Sequence, residues 1–255
     1  MPESVITWHL VEGEAGCALA RERGAIAVIV DALRASAMAA YLLDRGAREL
    51  LVVRKVEEAR EVHARYPGTL LAGERSGLPP EGFDLGNSPR QVDESVRGRT
   101  VVFTTTTGAG RLVACWGAGA VLMGTTVNAS AVVHAAHALA DIHGSHDVVL
   151  IPAGLWGDPE FLAQEDWTAS AAIAMRALEH GGHVDKGAET LAMWRSRIAD
   201  EGIETLFATA PHADKLRRAG LAADIVFCAR MDTVDAVPVA VSREGAAVRC
   251  VRYTA

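Results

Sequence analysis

Ile26-Ala-Val-Ile-Val-Asp31-Ala-Leu-Arg34-Ala-Ser36 is the stretch on which the fold turns. Its first five residues form an unbroken apolar run, the pattern of a strand buried on both faces of a parallel sheet. Asp31 ends the run, and residues 32–44 read as an Ala/Leu-rich helix closed by Gly46. The alternation continues downstream. Glu49 to Val53 is a second apolar run, and Val56 to Tyr66 is a Glu/Arg/Ala-rich helix stopped by Pro67-Gly68. Thr69 to Ala72 is a third strand that leads into Gly73-Glu74-Arg75. The same order then returns. Thr100 to Phe103 is a strand, Thr104 to Gly110 a polar loop, and a helix starts within 111–116 and ends at Gly117-Ala-Gly119. Ala120 to Met123, a helix from Asn128 to about Ala140, and Asp147 to Ile151 complete the second series before Pro152-Ala153-Gly154.

The predicted class is therefore α/β, with two similar halves near 26–97 and 100–180 inside a single domain over 1–255. Side-chain identity between the halves is low, so a chance alternation of strand and helix stays open as the alternative. The C-terminal part is expected to complete the fold. It carries helices over about 166–180 and 188–201, and strand-like runs at Ile225-Val-Phe227 and Val237 to Val241.

Bulk composition narrows the function. Half of the 255 residues are apolar, the formal net charge is −7, and no Lys/Arg-rich run occurs. Nucleic acid and anionic membranes are thus not expected as partners. An anionic ligand would have to be attracted locally, by particular arginines or a metal. Met1 to Leu10 lacks the basic and apolar regions of a secretory signal, and no apolar stretch approaches the ~20 residues of a bilayer span. Four scattered cysteines without a CxxC pair fit reduced thiols in a cytoplasmic protein. A homodimer is left open.

Polar clusters at the strand ends carry the chemistry. Asp31 could ligate Mg²⁺, act as a nucleophile or cap its helix, with Arg34 one turn on. Glu74 could bind metal, orient Arg75 or act as a base, and Arg75 suits phosphate or carboxylate oxygens. A surface ion pair is the plainer reading of the two. Phe83-Asp-Leu-Gly-Asn87-Ser88-Pro89 is dense in turn formers and forms a polar cup, with Asn87 and Ser88 as donors and Asp84 equally suited to holding the turn. Thr104, Thr105 and Thr106, with Gly108, either extend the strand or present hydroxyl and N–H groups to an anion. Asn128 caps its helix or donates to a ligand. Glu165-Asp166 either complements a helix dipole or binds metal. His134, His137, His143 and His146 show no zinc spacing and read as surface residues, and Ser88 lacks a GxSxG context.

Taken in order, Asp31-Ala-Leu-Arg-Ala-Ser36, Gly73-Glu-Arg75, Phe83-Asp-Leu-Gly-Asn-Ser-Pro89, Thr104-Thr-Thr106 with Gly108, Asn128-Ala-Ser130 and Glu165-Asp166 resemble the 2-phosphosulfolactate phosphatase family. Asp224-Ile-Val-Phe-Cys228 adds to the resemblance, which otherwise covers about 26–170. It implies a three-layer α/β/α fold of two interlocked halves. It also implies Mg²⁺-dependent hydrolysis of a small anionic phosphate monoester, with sulfolactate as product, as in coenzyme M biosynthesis. On that basis Asp31, Arg34, Glu74 and Arg75 are the expected catalytic residues. Asp31, Glu74, Glu165 and Asp166 are the expected Mg²⁺ ligands, while Asn87, Ser88, Thr104, Thr105, Thr106, Gly108 and Asn128 are expected to bind substrate. The chain departs from the family pattern at Thr107 (Asn expected), Ala109 (Thr expected), Pro152-Ala-Gly154 and Ala169-Ser170-Ala171 (cysteine-containing versions expected). These departures bear on the substrate more than on the fold. A phosphatase of another phosphorylated 2-hydroxy acid and a non-catalytic binder of an anionic metabolite are the rival readings.

Overall fold

The computed structural model describes residues 5–158 and 160–254. From the N-terminus come β1 (Thr7–Leu10), α1 (Gly13–Arg23), β2 (Ile26–Val30), α2 (Ala35–Asp44), β3 (Glu49–Val52), α3 (Val56–Arg65) and β4 (Leu70–Gly73). A long polar connection with two 3₁₀ turns leads to β5 (Thr100–Thr104), α4 (Gly108–Ala114), β6 (Ala120–Met123), α5 (Ala129–His143) and β7 (Asp147–Pro152). Then follow α6 (Gln164–Glu179), β8 (His183–Val184), α7 (Ala188–Glu201), α8 (Ile203–Ala208), α9 (Pro211–Arg218) and α10 (Ala222–Ala229). A closing hairpin consists of β9 (Pro238–Glu244) and β10 (Ala247–Arg252).

All ten strands form one sheet in the order β4-β5-β3-β10-β9-β6-β2-β7-β1-β8, with helices on both sides. Two parallel blocks lie in it. In one, β5 sits between β4 and β3; in the other, β2 sits between β6 and β7. The first strand of each half is thus inserted between the two later strands of the other half, which interlocks them. The β9–β10 hairpin joins the blocks through antiparallel pairs on both sides. Following those pairs shows that the two parallel blocks run in opposite directions.

The connections after β2 and β5 must therefore cross from one block to the other. Those connections are α2 and α4, which pack on each other. α2 touches β3, β10, β9 and β6, while α4 touches β2, β6, β10, β3 and β5, so the sheet wraps around both. This explains why Ala35 through Leu43 are buried on every face of α2. An Ala-rich helix without a polar face is what such a position needs.

Close approach sets one backbone requirement. Gly73 has φ +146°, and a Cβ there would lie 1.9 Å from the carbonyl oxygen of Thr104. Backbone cannot yield as a side chain can. Gly73→Ala is expected to cost at least the ~1–3 kcal/mol of an overpacked core, read as a lower urea midpoint.

Where the sequence expectation differs most is Ile225-Val-Phe227. The run belongs to helix α10, because three apolar residues satisfy either period and only their partners choose. Ile225 and Cys228 face the core at helical spacing, and Asp224 in the first turn is buried with them. Among the described residues all four cysteines are free and buried. No described helix is long and apolar enough to cross a membrane.

Candidate active site

α2 and α4 begin side by side, which brings the ends of β2 and β5 together. A Cβ on Gly108 would lie 2.6 Å from Asp31 Oδ2 and 2.7 Å from Ala35 Cβ. Gly108 therefore lets the two helix starts close and faces a carboxylate, a different task from cradling a phosphate. Beside this contact lies a cavity of about 260 Å³ whose walls include Asp31, Glu74, Asn87, Thr106, His212 and Lys215. That volume is at the small end for ligand sites and suits a molecule of a few carbons, not a nucleotide. A larger cavity of about 520 Å³ lies at the opposite ends of β3 and β5, against Arg48, Tyr66 and Arg249, away from every motif read above.

Asp31 and Glu74 line the smaller cavity and Glu165 and Asp166 lie buried beside it, the four carboxylates being in two different states. Glu74 accepts from the Thr106 N–H at 2.7 Å with Oε1 and from the Gly77 N–H at 2.8 Å with Oε2. Asp166 accepts from the Ala32 N–H at 2.8 Å and from the Gly154 N–H at 3.1 Å. Each of these acids clasps two loops through backbone donors that have no other acceptor. Asp31 and Glu165 keep an oxygen free. Asp31 Oδ1 accepts from the Ala35 N–H at 3.1 Å, which is the capping role, and leaves Oδ2 open. Glu165 Oε1 pairs with His212 Nδ1 at 2.8 Å, while its buried Oε2 has no partner.

Burial, with the charges of Glu74 and Glu165, holds the Asp31 carboxyl above its ordinary range against the pull of the Ala35 N–H and His212. Burial again, then Glu165 and Asp31, pushes Asp166 well up. Burial alone would lower His212, but its hydrogen bond to Glu165 and the charges of Glu165 and Asp31 leave it raised. Buried acids that raise one another are a cluster with too little positive charge.

That deficit is the test for a divalent cation. Among the described residues no three His, Cys, Asp or Glu side chains converge as a ready-made metal cage. Of the four expected acid ligands, Glu74 and Asp166 each have both oxygens accepting from backbone donors, while Asp31 and Glu165 each keep one oxygen without a partner. Mg²⁺ needs only one or two carboxylates, because it keeps several waters and takes substrate oxygens. Asp31 Oδ2 and Glu165 Oε2 fit it on that count.

The two arginines also hold the walls. Arg34 is 2% exposed, and its guanidinium donates to Asp224 Oδ2 at 2.5 Å and to the Gly77 carbonyl at 3.0 Å. Ser88 Oγ donates to the other Asp224 oxygen at 2.8 Å. Arg75 donates to the carbonyls of Glu74 and Arg54 and to Thr104 Oγ1. Each lines the cavity while part of its donor set bonds to protein. Arg34 and Arg75 thus brace the walls, and both line the cavity as well.

Of the expected neutral donors, Asn87 and Thr106 line the cavity. Ser88 is turned to Asp224, Thr104 accepts from Arg75, and Thr105 Oγ1 accepts from the Ala109 N–H at 3.0 Å. Asn128 lies outside the cavity. Its Oδ1 accepts from the Thr125 N–H at 3.0 Å and its Nδ2 donates to the Ala236 carbonyl at 2.9 Å, so it ties α5 to the C-terminal segment. Asp84 accepts from the Leu71 N–H at 2.7 Å and holds the turn.

Sequence reading missed His212 and Lys215, both on α9, a short helix with no motif around it. It also left Asp224 without a role. The only available signal was a lone buried-pattern acid in Asp224-Ile-Val-Phe-Cys228. His134, His143 at the end of α5, and the loop residue His146 are exposed, as expected. His137 is half-buried near Trp8.

The cavity thus presents the free Asp31 carboxylate oxygen, a histidine held by the buried Glu165, and amide and hydroxyl donors, within a space for a small ligand. Comparison with known proteins agrees. A model of the 2-phosphosulpholactate phosphatase family matches residues 17–243. A probable 2-phosphosulfolactate phosphatase of Deinococcus radiodurans is 38% identical over 233 residues, covering 90% of this chain and 93% of the relative. Proteins of the same description from Clostridium beijerinckii and Carboxydothermus hydrogenoformans are 33% and 31% identical, each covering 86% of this chain and 90% and 87% of the relative. With a family model spanning most of its length and relatives up to 38% identical, this chain belongs to the 2-phosphosulfolactate phosphatase family.

Proposed function

We propose that the protein is a Mg²⁺-dependent phosphatase that hydrolyses 2-phosphosulfolactate to sulfolactate and phosphate, the reaction of a coenzyme M-type biosynthesis. One observation supports this reading: a small cavity is lined by Asp31 and His212, and the buried Glu165 behind His212 keeps an unpartnered Oε2. A bound Mg²⁺ would supply charge neutralisation for the phosphoryl oxygens and lower the pKa of a coordinated water. Phosphate monoester hydrolysis calls for rate factors of up to ~10²¹, reached mostly by alignment and charge.

The chain's own groups divide the remaining work. Glu165 Oε1 fixes His212 through Nδ1 and leaves Nε2 for the cavity. From there an imidazolium proton can pass to the oxygen of the departing sulfolactate. The Thr106 hydroxyl and the Asn87 amide are placed to hold phosphoryl or carboxylate oxygens. Glu74 and Asp166 keep the loops that bear these groups at fixed spacing. Arg34 and Arg75 line the same walls and brace them.

Phosphate release from a panel of 2-phosphosulfolactate, phospholactate and phosphoglycolate tests the reading. Turnover is expected with Mg²⁺ and at least ~10²-fold less with chelator, the scale on which one lost electrostatic stabiliser shows. Thermal stabilisation by the esters without any phosphate release under Mg²⁺ would assign the protein to non-catalytic binding instead.

A further inference from the structure

We infer that a separate cavity at the start of α1 binds a small free α-amino acid, its carboxylate on Arg111 and the first turn of α1, its ammonium on Glu12. This cavity shares Leu155 with the catalytic one and lies on the other side of it. Its geometry does not depend on the phosphatase reading, and either can fail without the other.

The cavity has a volume of about 320 Å³, and its charged wall groups are Arg111, Glu12, Glu14 and Asp158. Arg111 is 4% exposed, yet its Nη1 is out of solvent with no hydrogen-bond partner. The rest of the guanidinium is fixed. Its Nε donates to the Ala153 carbonyl at 3.0 Å, and the group lies 4.5 Å from the centroid of the Trp156 ring. Glu14 pairs with it only loosely: Oε1 stays 3.7 Å from Nη1, too far for a hydrogen bond, on a side chain that is 76% exposed. A buried donor left so is unfavourable and calls for an acceptor. Beside it α1, eleven residues long, starts without a side-chain cap. Gly13, at φ +63°, lets the guanidinium reach that first turn, because a Cβ there would stand only 3.3 Å from Nη2. The N–H groups of the turn have no carbonyl to bond within the helix, and the positive end of the dipole favours a carboxylate.

A plain anion does not suit the cavity, since three carboxylates share its wall. Glu14 and Asp158 are exposed, and Glu12 is half-buried. Its Oε2 accepts from Trp167 Nε1 at 3.3 Å, while Oε1 stands over Gly154, 2.8 Å from where a Cβ would lie. Burial holds this carboxyl above its ordinary range, against the pull of Trp167 and Arg111. Glu12 and Arg111 therefore feel each other's charge, yet the ion pair of Arg111 is with Glu14. Each keeps an open end in one cavity. A simple cation would leave Arg111 unmatched, and a simple anion would leave Glu12 so. A ligand with both charges a few bonds apart matches the two together, which is the chemistry of an α-amino acid. The volume is at the small end for ligand sites and restricts its side chain to a few atoms.

Calorimetric titration of the full chain separates the two charges. Glycine, L-alanine and L-serine carry both, propionate lacks the ammonium, and ethylamine lacks the carboxylate. Alanine is expected to bind at least ~10-fold more tightly than either fragment, about the worth of one charged hydrogen bond. Glu12→Gln keeps an acceptor for Trp167 and removes the charge. It is expected to weaken alanine by a similar factor without weakening propionate, whereas a purely structural role for Glu12 would weaken both. A melting curve verifies that the variant is folded, and if it is not, the wild-type comparison of alanine with propionate still decides. The inference is overturned if none of the three amino acids binds, if alanine and propionate bind equally, or if folded Glu12→Gln binds alanine as the wild type does.

Discussion

Asp31→Asn is expected to lower Mg²⁺-dependent phosphate release by about 10²–10³-fold, the loss seen when one preorganised electrostatic group is removed from a reaction centre. The substitution isolates charge from shape. Asparagine keeps an Oδ1 that can accept from the Ala35 N–H, so the start of α2 retains its cap. What disappears is the negative oxygen beside Gly108 and the cavity. Stability should move the other way. The folded protein holds the Asp31 carboxyl above its ordinary range, chiefly through burial, so the native state binds this proton more tightly than the unfolded chain does. Stability then falls as pH rises above the ordinary aspartate range, and a neutral asparagine removes that penalty. With chelator present at pH 8, Asp31→Asn should melt no lower than the wild type. Full turnover in a folded variant would remove Asp31 from the site. A lower melting temperature together with lost activity would mean that its role is architectural.

Asp224→Ala is expected to be the most destabilising single change, at about 3–5 kcal/mol, the cost of removing one partner from a buried ion pair. Arg34 and Asp224 side chains are each 2% exposed, so solvent cannot replace the lost carboxylate. Ser88 would lose its acceptor at the same time. Against a total stability of ~5–15 kcal/mol, that is a large share. The network also joins four segments far apart in sequence: the start of α2, the 73–78 loop through Gly77, the 83–89 loop and α10. Loosening it should widen the cavity, so activity is expected to fall with stability. Urea unfolding monitored by tryptophan fluorescence measures the effect. The apolar double replacement Arg34→Met with Asp224→Leu should recover much of the loss, since it leaves no uncompensated charge. A midpoint for Asp224→Ala within error of wild type would show that the pair contributes little.

These two substitutions mark the boundary between what could be read in advance and what could not. Asp31 stands where a buried apolar run ends and a helix starts, and that position alone singles it out. Asp224 sits in a run that reads as a strand and is a helix, and its partner is 190 residues away. Glu74 and Asp166 were visible as acids at the end of a strand and the start of a helix. Their actual work, accepting from Thr106 and Gly77 or from Ala32 and Gly154, depends on backbone N–H groups that other segments bring. Arg34 and Arg75 were equally visible, and their chemistry suits phosphate. Only the packed structure shows their donors turned to protein acceptors.

By itself the sequence determined the alternation of strands and helices and the clustering of polar groups at strand ends. Both follow from local physics: apolar runs with period two or 3.6, turn residues between them, and small residues where a helix is buried on all sides. Tertiary structure decided the rest. The opposed directions of the two parallel blocks, and the wrapping of the sheet around α2 and α4, bring Asp31 against Gly108 and α9 over the cavity. Whether a carboxylate holds a loop or stays open to a ligand is set by which donors reach it through space. That is a property of long-range packing, and no local pattern of residues encodes it.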